Sequence, residues 1–476
     1  MAKVKTQRSI NPYVLVILSF IIIILLGSLL LNMPFANKSG KWGNYMDSFL
    51  LATSGTCVTG LTTLKDTTYN TLTFAGQVIL AVLIQIGGLG FVTVLTFLIT
   101  LFKRKLQFRD RYLISQMVSS TNFADVVKFV RKLILISFIA EFIGFLFGLP
   151  VFLTMFPKDS GRAVWYSLFH SISAFNNAGF DLLENGYIGG LAAAGVNTVA
   201  ISTGNWMYYY FCSYQMLLIV TGGISFLVII EVFTSKKRPR QWSALTKIVL
   251  WCTLFLLVVG SLLIYLTDGF KGDGSMSYFD ALFQSVSSRT AGFATYSSDS
   301  LSVAGKIISC MLMFIGGAPL GTAGGIKITT IFLLFLAMSS YIRGRNVIAF
   351  KRYYSVKMVL KALSLVFTVV IVLIIAYLCL NAFGLQKGYA LGEGELANIK
   401  TETSMFYFFD MFSCFGTVGF MIGAEAYYSV GAKIVLCVLM FIGRLGPMTF
   451  LSIFQRNLTI KNDSHFWYVE DDFLIG

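Results

Sequence analysis

The chain has 476 residues, of which 56% are apolar, 15% aromatic and only 12% charged. A soluble domain carries roughly 25% charged residues. This composition, with a mean hydropathy of +0.76, excludes most soluble enzymes, nucleic-acid binders and secreted disulfide scaffolds and points to a polytopic membrane protein. The net charge of +15 fits basic cytoplasmic loops rather than a nucleic-acid partner. Seven Cys without CxxC or CxxH spacing, and two His, make neither a disulfide framework nor a conventional metal cluster.

In chain order, Lys3, Lys5 and Arg8 precede an apolar run from Tyr13 to Leu31. That run exceeds the roughly 7–15 residues of a signal-peptide core and lacks a small-residue cleavage site, which predicts a first spanning helix starting in the cytoplasm. Further runs at 73–102, 133–156, 207–233, 244–266, 303–337, 356–382 and 432–454 are long enough, at about 20 residues, to cross a bilayer.

Between the members of each successive pair lies a shorter apolar segment ending in a Gly loop. The loops read Cys57-Val58-Thr59-Gly60, Asn176-Asn177-Ala178-Gly179, Arg289-Thr290-Ala291-Gly292 and Gly416-Thr417-Val418-Gly419, with their glycines 119, 113 and 127 residues apart. A near-constant period means an internal repeat. The second helices repeat as well, through Gly87-Gly88, Gly222-Gly223, Gly316-Gly317 and Gly443-Arg444. The expected fold is therefore an all-α membrane protein of four parallel helix–pore loop–helix repeats, with pseudo-fourfold symmetry around one pore. The repeats divide the chain at 1–102, 103–235, 236–342 and 343–476, the last including a tail. Residues 184–206 are an insertion in repeat two, expected as an external hairpin.

The N-terminus, the three inter-repeat connections and the tail hold 24 of the 37 basic residues. The positive-inside rule then puts both termini in the cytoplasm and brings the four Gly loops in from outside. No connection reaches the roughly 50 residues a nucleotide-binding domain needs.

Non-helical backbone at membrane depth costs several kcal/mol per unsatisfied group unless it lines a polar cavity. Four such loops in register imply a shared cavity, where backbone carbonyls can replace the hydration shell of a monovalent cation. Side chains before the glycines vary while Gly60, Gly179, Gly292 and Gly419 do not, as expected when carbonyls coordinate. Each preceding short helix would turn its negative dipole end toward the cation.

These motifs, with Phe169-His170-Ser171-Ile172-Ser173-Ala174-Phe175 ahead of the second loop and Ser287-Ser288 ahead of the third, resemble the KtrB/TrkH/HKT superfamily of potassium transporters, and KtrB in particular. The resemblance covers nearly the whole chain. It implies K⁺ uptake across the plasma membrane through a single-chain pore, a homodimer, frequent Na⁺ stimulation, and a cytosolic ring of RCK-type KtrA subunits that binds ATP, ADP or NAD(H). Retention of Gly60 resembles the potassium-selective members, since Ser replaces it in sodium-favouring plant relatives.

The third inner helix meets Gly316, Gly317, Ala318, Pro319, Gly321, Thr322, Gly324 and Gly325, followed by Lys327. Five Gly and one Pro in ten residues cannot hold a helix, so a flexible loop is expected below the filter, where the resemblance puts an intramembrane gate. Arg444, a charged residue at a Gly position, is expected to donate to that loop. Arg289 is expected to brace the third loop through Asp280 or Asp181, His170 to pack, and Glu141 to serve a hydrogen-bonded structural role. Basic clusters Lys103-Arg104-Lys105 and Lys236-Lys237-Arg238 suit lipid headgroups or a cytosolic partner. The same architecture could pass Na⁺ or couple K⁺ to Na⁺. An intramembrane enzyme using His170, Asp280 or Glu141 lacks a spaced catalytic set, and a proton-coupled transporter would show inverted repeats and midplane acids.

Overall fold

The computed structural model describes residues 12–64, 68–90, 126–183, 206–234, 239–270, 276–385, 393–422 and 427–446. The clusters Lys103-Arg104-Lys105 and Lys236-Lys237-Arg238, residues 184–205 of the insertion and the tail lie outside them.

Repeat 1 comprises α1 (Pro12–Asn32), the short α2 (Tyr45–Cys57) and α3 (Phe74–Leu89). Repeat 2 comprises α4 (Val126–Met155), the short α5 (Ser160–Phe175), α6 (Trp206–Gly223) and α7 (Phe226–Thr234). Repeat 3 follows with α8 (Ala244–Asp268), the short α9 (Tyr278–Ser287), α10 (Val303–Phe314) and α11 (Ile328–Ile342). A hairpin, Ile348–Ala349 with Arg352–Tyr353, leads to repeat 4: α12 (Val356–Phe383), α13 (Glu393–Gly416) and α14 (Val430–Leu445). The protein is a mostly helical membrane protein built as four pseudo-symmetric repeats.

Local chemistry sets where the short and inner helices begin. Asn44, Asp159 and Ser277 each accept a backbone N–H at the start of α2, α5 and α9. Thr73, Ser302 and Ser429 do so for α3, α10 and α14. Such caps contribute about 1 kcal/mol each. They also fix where these six helices start.

Within the described residues each of the sequence runs 73–102, 207–233 and 432–454 is interrupted as a helix, and 91–102 and 447–454 lie outside those residues. α3 stops at Leu89 and α14 at Leu445, each followed by a glycine of positive φ, Gly90 at +78° and Gly446 at +80°. α6 and α7 meet at a 102° bend after Gly223. α10 stops at Phe314, and no helix resumes before Ile328. Glycine in or just after the inner-helix motif is common to these breaks, being costly in a helix interior and open to the left-handed region.

Each inner helix packs against the short helix of the next repeat: α3 on α5, α6 on α9, α10 on α13, and α14 back on α2. The cyclic pattern encloses one axis. Phe169, Phe175, Phe283, Phe409 and Phe415 are fully buried around the short helices. Ile22, Leu26, Phe255 and Phe367 are more than half exposed on the outer helices, as faces turned to hydrocarbon require.

Candidate ion pathway

Every short helix ends just before a loop of one repeating conformation. Val58, Asn177, Thr290 and Thr417, two residues before the loop glycine, have φ of +59°, +59°, +79° and +51°. Gly60, Gly179, Gly292 and Gly419 follow at +93°, +68°, +80° and +88°. Left-handed backbone costs roughly 1–2 kcal/mol for a non-glycine residue, so its recurrence at four register positions needs support. Part of that support comes from serine. The hydroxyls of Ser173 and Ser413 donate to Phe180 O and Phe420 O at 2.7 and 2.9 Å, and Ser287 donates to Phe293 O.

The four glycines form a closed ring. A methyl placed on Gly60 would lie 2.5 Å from Ala178 O, and one on Gly179 would lie 2.5 Å from Ala291 O. On Gly292 it would collide with Val418 O, and on Gly419 with Thr59 O. Repeat 1 thus touches 2, 2 touches 3, 3 touches 4 and 4 touches 1, each through the carbonyl just before a ring glycine. Thr56, Thr59 and Thr417 around the ring have buried hydroxyls without hydrogen-bond partners. Cys57, Asn176, Arg289 and Gly416 occupy the equivalent position three residues before each ring glycine. Cys, Asn, Arg and Gly share no side-chain chemistry, so only backbone is common to the four loops.

The inner-helix glycines permit close approach to the same loops. A methyl on Gly87, Gly222 or Gly443 would collide with Thr56 O, Phe175 O or Phe415 O of its own repeat. In repeat 3 the corresponding Gly316 meets Gly324 O instead.

Residues 315–327 form an irregular segment under the ring. Gly316 N donates to Ile326 O at 2.9 Å and Ile328 N to Gly317 O at 3.1 Å, closing the segment as a loop. Ala318 N and Thr322 N donate to Gly223 O and Gly222 O, both at 3.1 Å, and Phe226 N donates to Leu320 O at 3.2 Å. The Thr322 hydroxyl reaches Phe175 O at 3.3 Å. Gly324 abuts the Thr417 side chain, where a methyl would not fit. Lys327 Nζ donates to Ala323 O at 2.6 Å, inside the loop. Pro319, Gly321 and Gly325 complete the turn, with Gly325 at a φ of +65°.

Arg444 donates to Thr322 O of this loop and to Gly87 O, and at 3.1 Å to Gly88 O. The guanidinium therefore ties the ends of α14 and α3 to the loop, while Gly222 and Gly223 tie it to α6. All four repeats contribute to this layer.

One expectation changes, that for Arg289, while His170 packs as expected. Asp280 accepts from Tyr208 and, at 2.6 Å, from Ser277 rather than from Arg289. Among the described residues no ion pair engages Arg289, which is buried with an unpartnered Nε. The tyrosine hydroxyl takes the acceptor that sequence proximity suggested for the arginine. His170 is fully buried, with Nδ1 2.8 Å from Tyr166 O and its ring 5.0 Å from that of Phe152. Among the described residues no His/Cys/Asp/Glu group could hold a metal ion.

The hydrogen-bonded structural role expected of Glu141 gains its partners, and two further supports escaped the sequence reading. Glu141 Oε1 on α4 accepts from Gln85 of α3 at 2.8 Å, Ser137 at 3.0 Å and Asn176 of the second loop at 3.1 Å. Serines at the ends of three short helices hold the residue after the ring glycine, and Ser before those three loops was the available signal. Lys433 lies 2.6 Å from Asp47. A lysine ten residues before the inner-helix Gly, inside an apolar run, could have flagged it.

The whole architecture has known counterparts. Residues 1–459 match the profile of TrkH, described as a cation transport protein. The chain is 31% identical to the potassium/sodium uptake protein NtpJ of Enterococcus hirae, covering 100% of this chain and 99% of that one. It is 30% identical to the Ktr system potassium uptake protein B of Bacillus subtilis, covering 95% of each. The crystal structure of the potassium transporter TrkH from Vibrio parahaemolyticus shares the fold, with a TM-score of 0.68 at 18% identity over 96% of this chain and 87% of that one. These relatives are transport proteins and not enzymes. A ring of four glycine loops above an arginine-tied segment thus sits in a chain that belongs to the TrkH family of cation transport proteins.

Proposed function

We propose that the chain conducts K⁺ selectively into the cell across the plasma membrane, both termini being cytoplasmic. Carbonyls at the glycine ring act as the filter and the 315–327 loop as the gate. The observation that carries this reading is the cyclic contact of the four loops, each through the carbonyl preceding a ring glycine. Four short helices ending at the ring add negative dipole ends that favour a cation. K⁺ is the cargo, and no covalent cofactor enters.

Gating follows from the layer below. A fixed cation in a narrow low-dielectric path opposes K⁺, and Arg444 is neutralised there only in part, by backbone carbonyl dipoles. With the loop tied to Arg444, Gly222 and Gly223, steric block and positive charge act together. Release of those bonds opens the path. A homodimer that docks an RCK-type KtrA ring would supply the release. Any ATP, ADP or NAD(H) response then belongs to that ring, and basic connections meet either the ring or lipid headgroups.

A second reading, Na⁺ permeation or K⁺/Na⁺ coupling including Na⁺ stimulation, is favoured by the likeness to a potassium/sodium uptake protein. K⁺ and Na⁺ fluxes into vesicles holding the purified chain separate the two. Preference for K⁺, with rescue of a K⁺-uptake-deficient cell at low K⁺, supports the first. Equal permeation or obligate co-transport overturns it.

A further inference from the structure

A cavity of about 810 Å³ opens between α4 and the bent pair α6–α7, within the roughly 300–1,000 Å³ typical of ligand pockets. Its walls are almost wholly apolar: Ile139 and Phe147 from α4, Leu217 from α6 and Phe233 from α7, with Phe175 at its floor. Ile139, Phe147, Leu217 and Phe233 are 49, 50, 67 and 81% exposed. The 102° bend after Gly223 turns α7 aside and leaves the opening. At one end stands Lys132, exposed and next to the exposed Arg131. No acid lines the cavity among the described residues. The neighbouring Glu141 is committed to Gln85, Ser137 and Asn176.

We propose that this cavity holds an acyl chain of an anionic phospholipid, with its headgroup on Lys132, and that this lipid sets how readily the loop 315–327 releases. The proposal rests on the pore and orientation described above, which put Lys132 at the cytoplasmic face. Polar occupants have almost no partners along the walls, whereas a hydrocarbon chain with one anionic end matches both wall and rim. Basic pockets between helices on the cytoplasmic side bind anionic headgroups by this chemistry. The link to permeation is short. The floor residue Phe175 accepts from Thr322 of the loop, and α6 ends in Gly222 and Gly223, whose carbonyls accept from Thr322 and Ala318. A chain wedged between α4 and α6–α7 therefore bears on the helix end that anchors the loop.

The test compares K⁺ flux of the full chain in vesicles of phosphatidylcholine alone and of phosphatidylcholine with phosphatidylglycerol. It also measures the phosphatidylglycerol retained on the purified protein by mass spectrometry. Flux should change severalfold with phosphatidylglycerol. Lys132→Gln should weaken its retention by about fivefold, the equivalent of the ~1 kcal/mol a basic residue contributes near an anionic surface. Leu217→Trp, at an exposed wall position, should displace the chain and flatten the flux response while K⁺/Na⁺ discrimination stays unchanged. Equal flux in both vesicles, or retention insensitive to both substitutions, overturns the proposal. So does disulfide cross-linking of Leu217→Cys between two chains, which would make a second copy the occupant. Absence of K⁺ flux in every lipid would instead overturn the pore reading on which the proposal rests.

Discussion

The Lys433 ammonium of α14 lies 2.6 Å from Asp47 Oδ1 in the first turn of α2, joining residues 386 apart in the chain. Thr63 donates to the same carboxylate oxygen at 2.7 Å. The pair closes the ring of repeats, since it fastens the inner helix of repeat 4 to the short helix of repeat 1. At the corresponding junction of repeats 1 and 2, Trp165 Nε1 donates to Gln77 Oε1 at 2.8 Å. Between repeats 2 and 3, Tyr208 donates to Asp280.

Breaking the closing pair should destabilise the fold. Lys433 is buried while Asp47 keeps some contact with solvent, so removing the lysine costs less than the about 3–5 kcal/mol of a fully buried pair. Lys433→Met should still lower the unfolding temperature in detergent. The double variant Lys433→Met, Asp47→Leu should lose less than Lys433→Met alone. Additive losses in this double-mutant cycle would show that the two groups do not interact.

Arg444→Ala should raise K⁺ flux per reconstituted molecule. The substitution removes a positive charge near the path together with the bonds to Thr322, Gly87 and Gly88. Arg444→Lys should fall between, because an ammonium cannot span all three carbonyls with the geometry of a guanidinium. Unchanged flux with a lower folded yield would make Arg444 a packing residue.

Glu141 should matter through Asn176. Glu141→Ala leaves Gln85, Ser137 and Asn176 without their shared acceptor, at about 1–3 kcal/mol for a buried polar group left unsatisfied. The second loop should then shift, and K⁺/Na⁺ discrimination should drop. Glu141→Gln keeps an acceptor oxygen and should restore most of it. Equal ratios in all three proteins would remove Glu141 from any role at the loop.

Much of this arrangement was legible in the sequence because it is carried by backbone. A glycine at a fixed register reports a positive φ or a close approach, and Gly60, Gly87, Gly179, Gly222, Gly292, Gly419 and Gly443 sit at one or the other. The Gly/Pro density of 316–325 likewise reports a segment that no helix can hold. Side-chain partners were not legible. Asp280 was read by nearness in sequence to Arg289, but Tyr208, on the preceding repeat's inner helix, reaches it first. Lys433 and Asp47 are brought together only by ring closure. Hydropathy also hides the break at Gly90, where α3 ends although the apolar run of the sequence goes on.

Nucleotide responsiveness should require a second protein. K⁺ flux through the purified chain should not change on adding ATP, ADP or NADH, and should change once an RCK-type subunit is bound. A nucleotide effect on the purified chain alone would place the sensor within it.

Selection by the glycine ring is tested most directly by the K⁺/Na⁺ permeability ratio of Gly60→Ser, Gly179→Ser, Gly292→Ser and Gly419→Ser beside the unsubstituted chain in vesicles. Each serine meets a neighbouring repeat's carbonyl and a positive φ. A left-handed penalty of roughly 1–2 kcal/mol corresponds to a factor of about 5–30 in an equilibrium. A fall of that order in each variant is the predicted result. Four variants that conduct with the ratio of the unsubstituted chain would contradict selection at this ring.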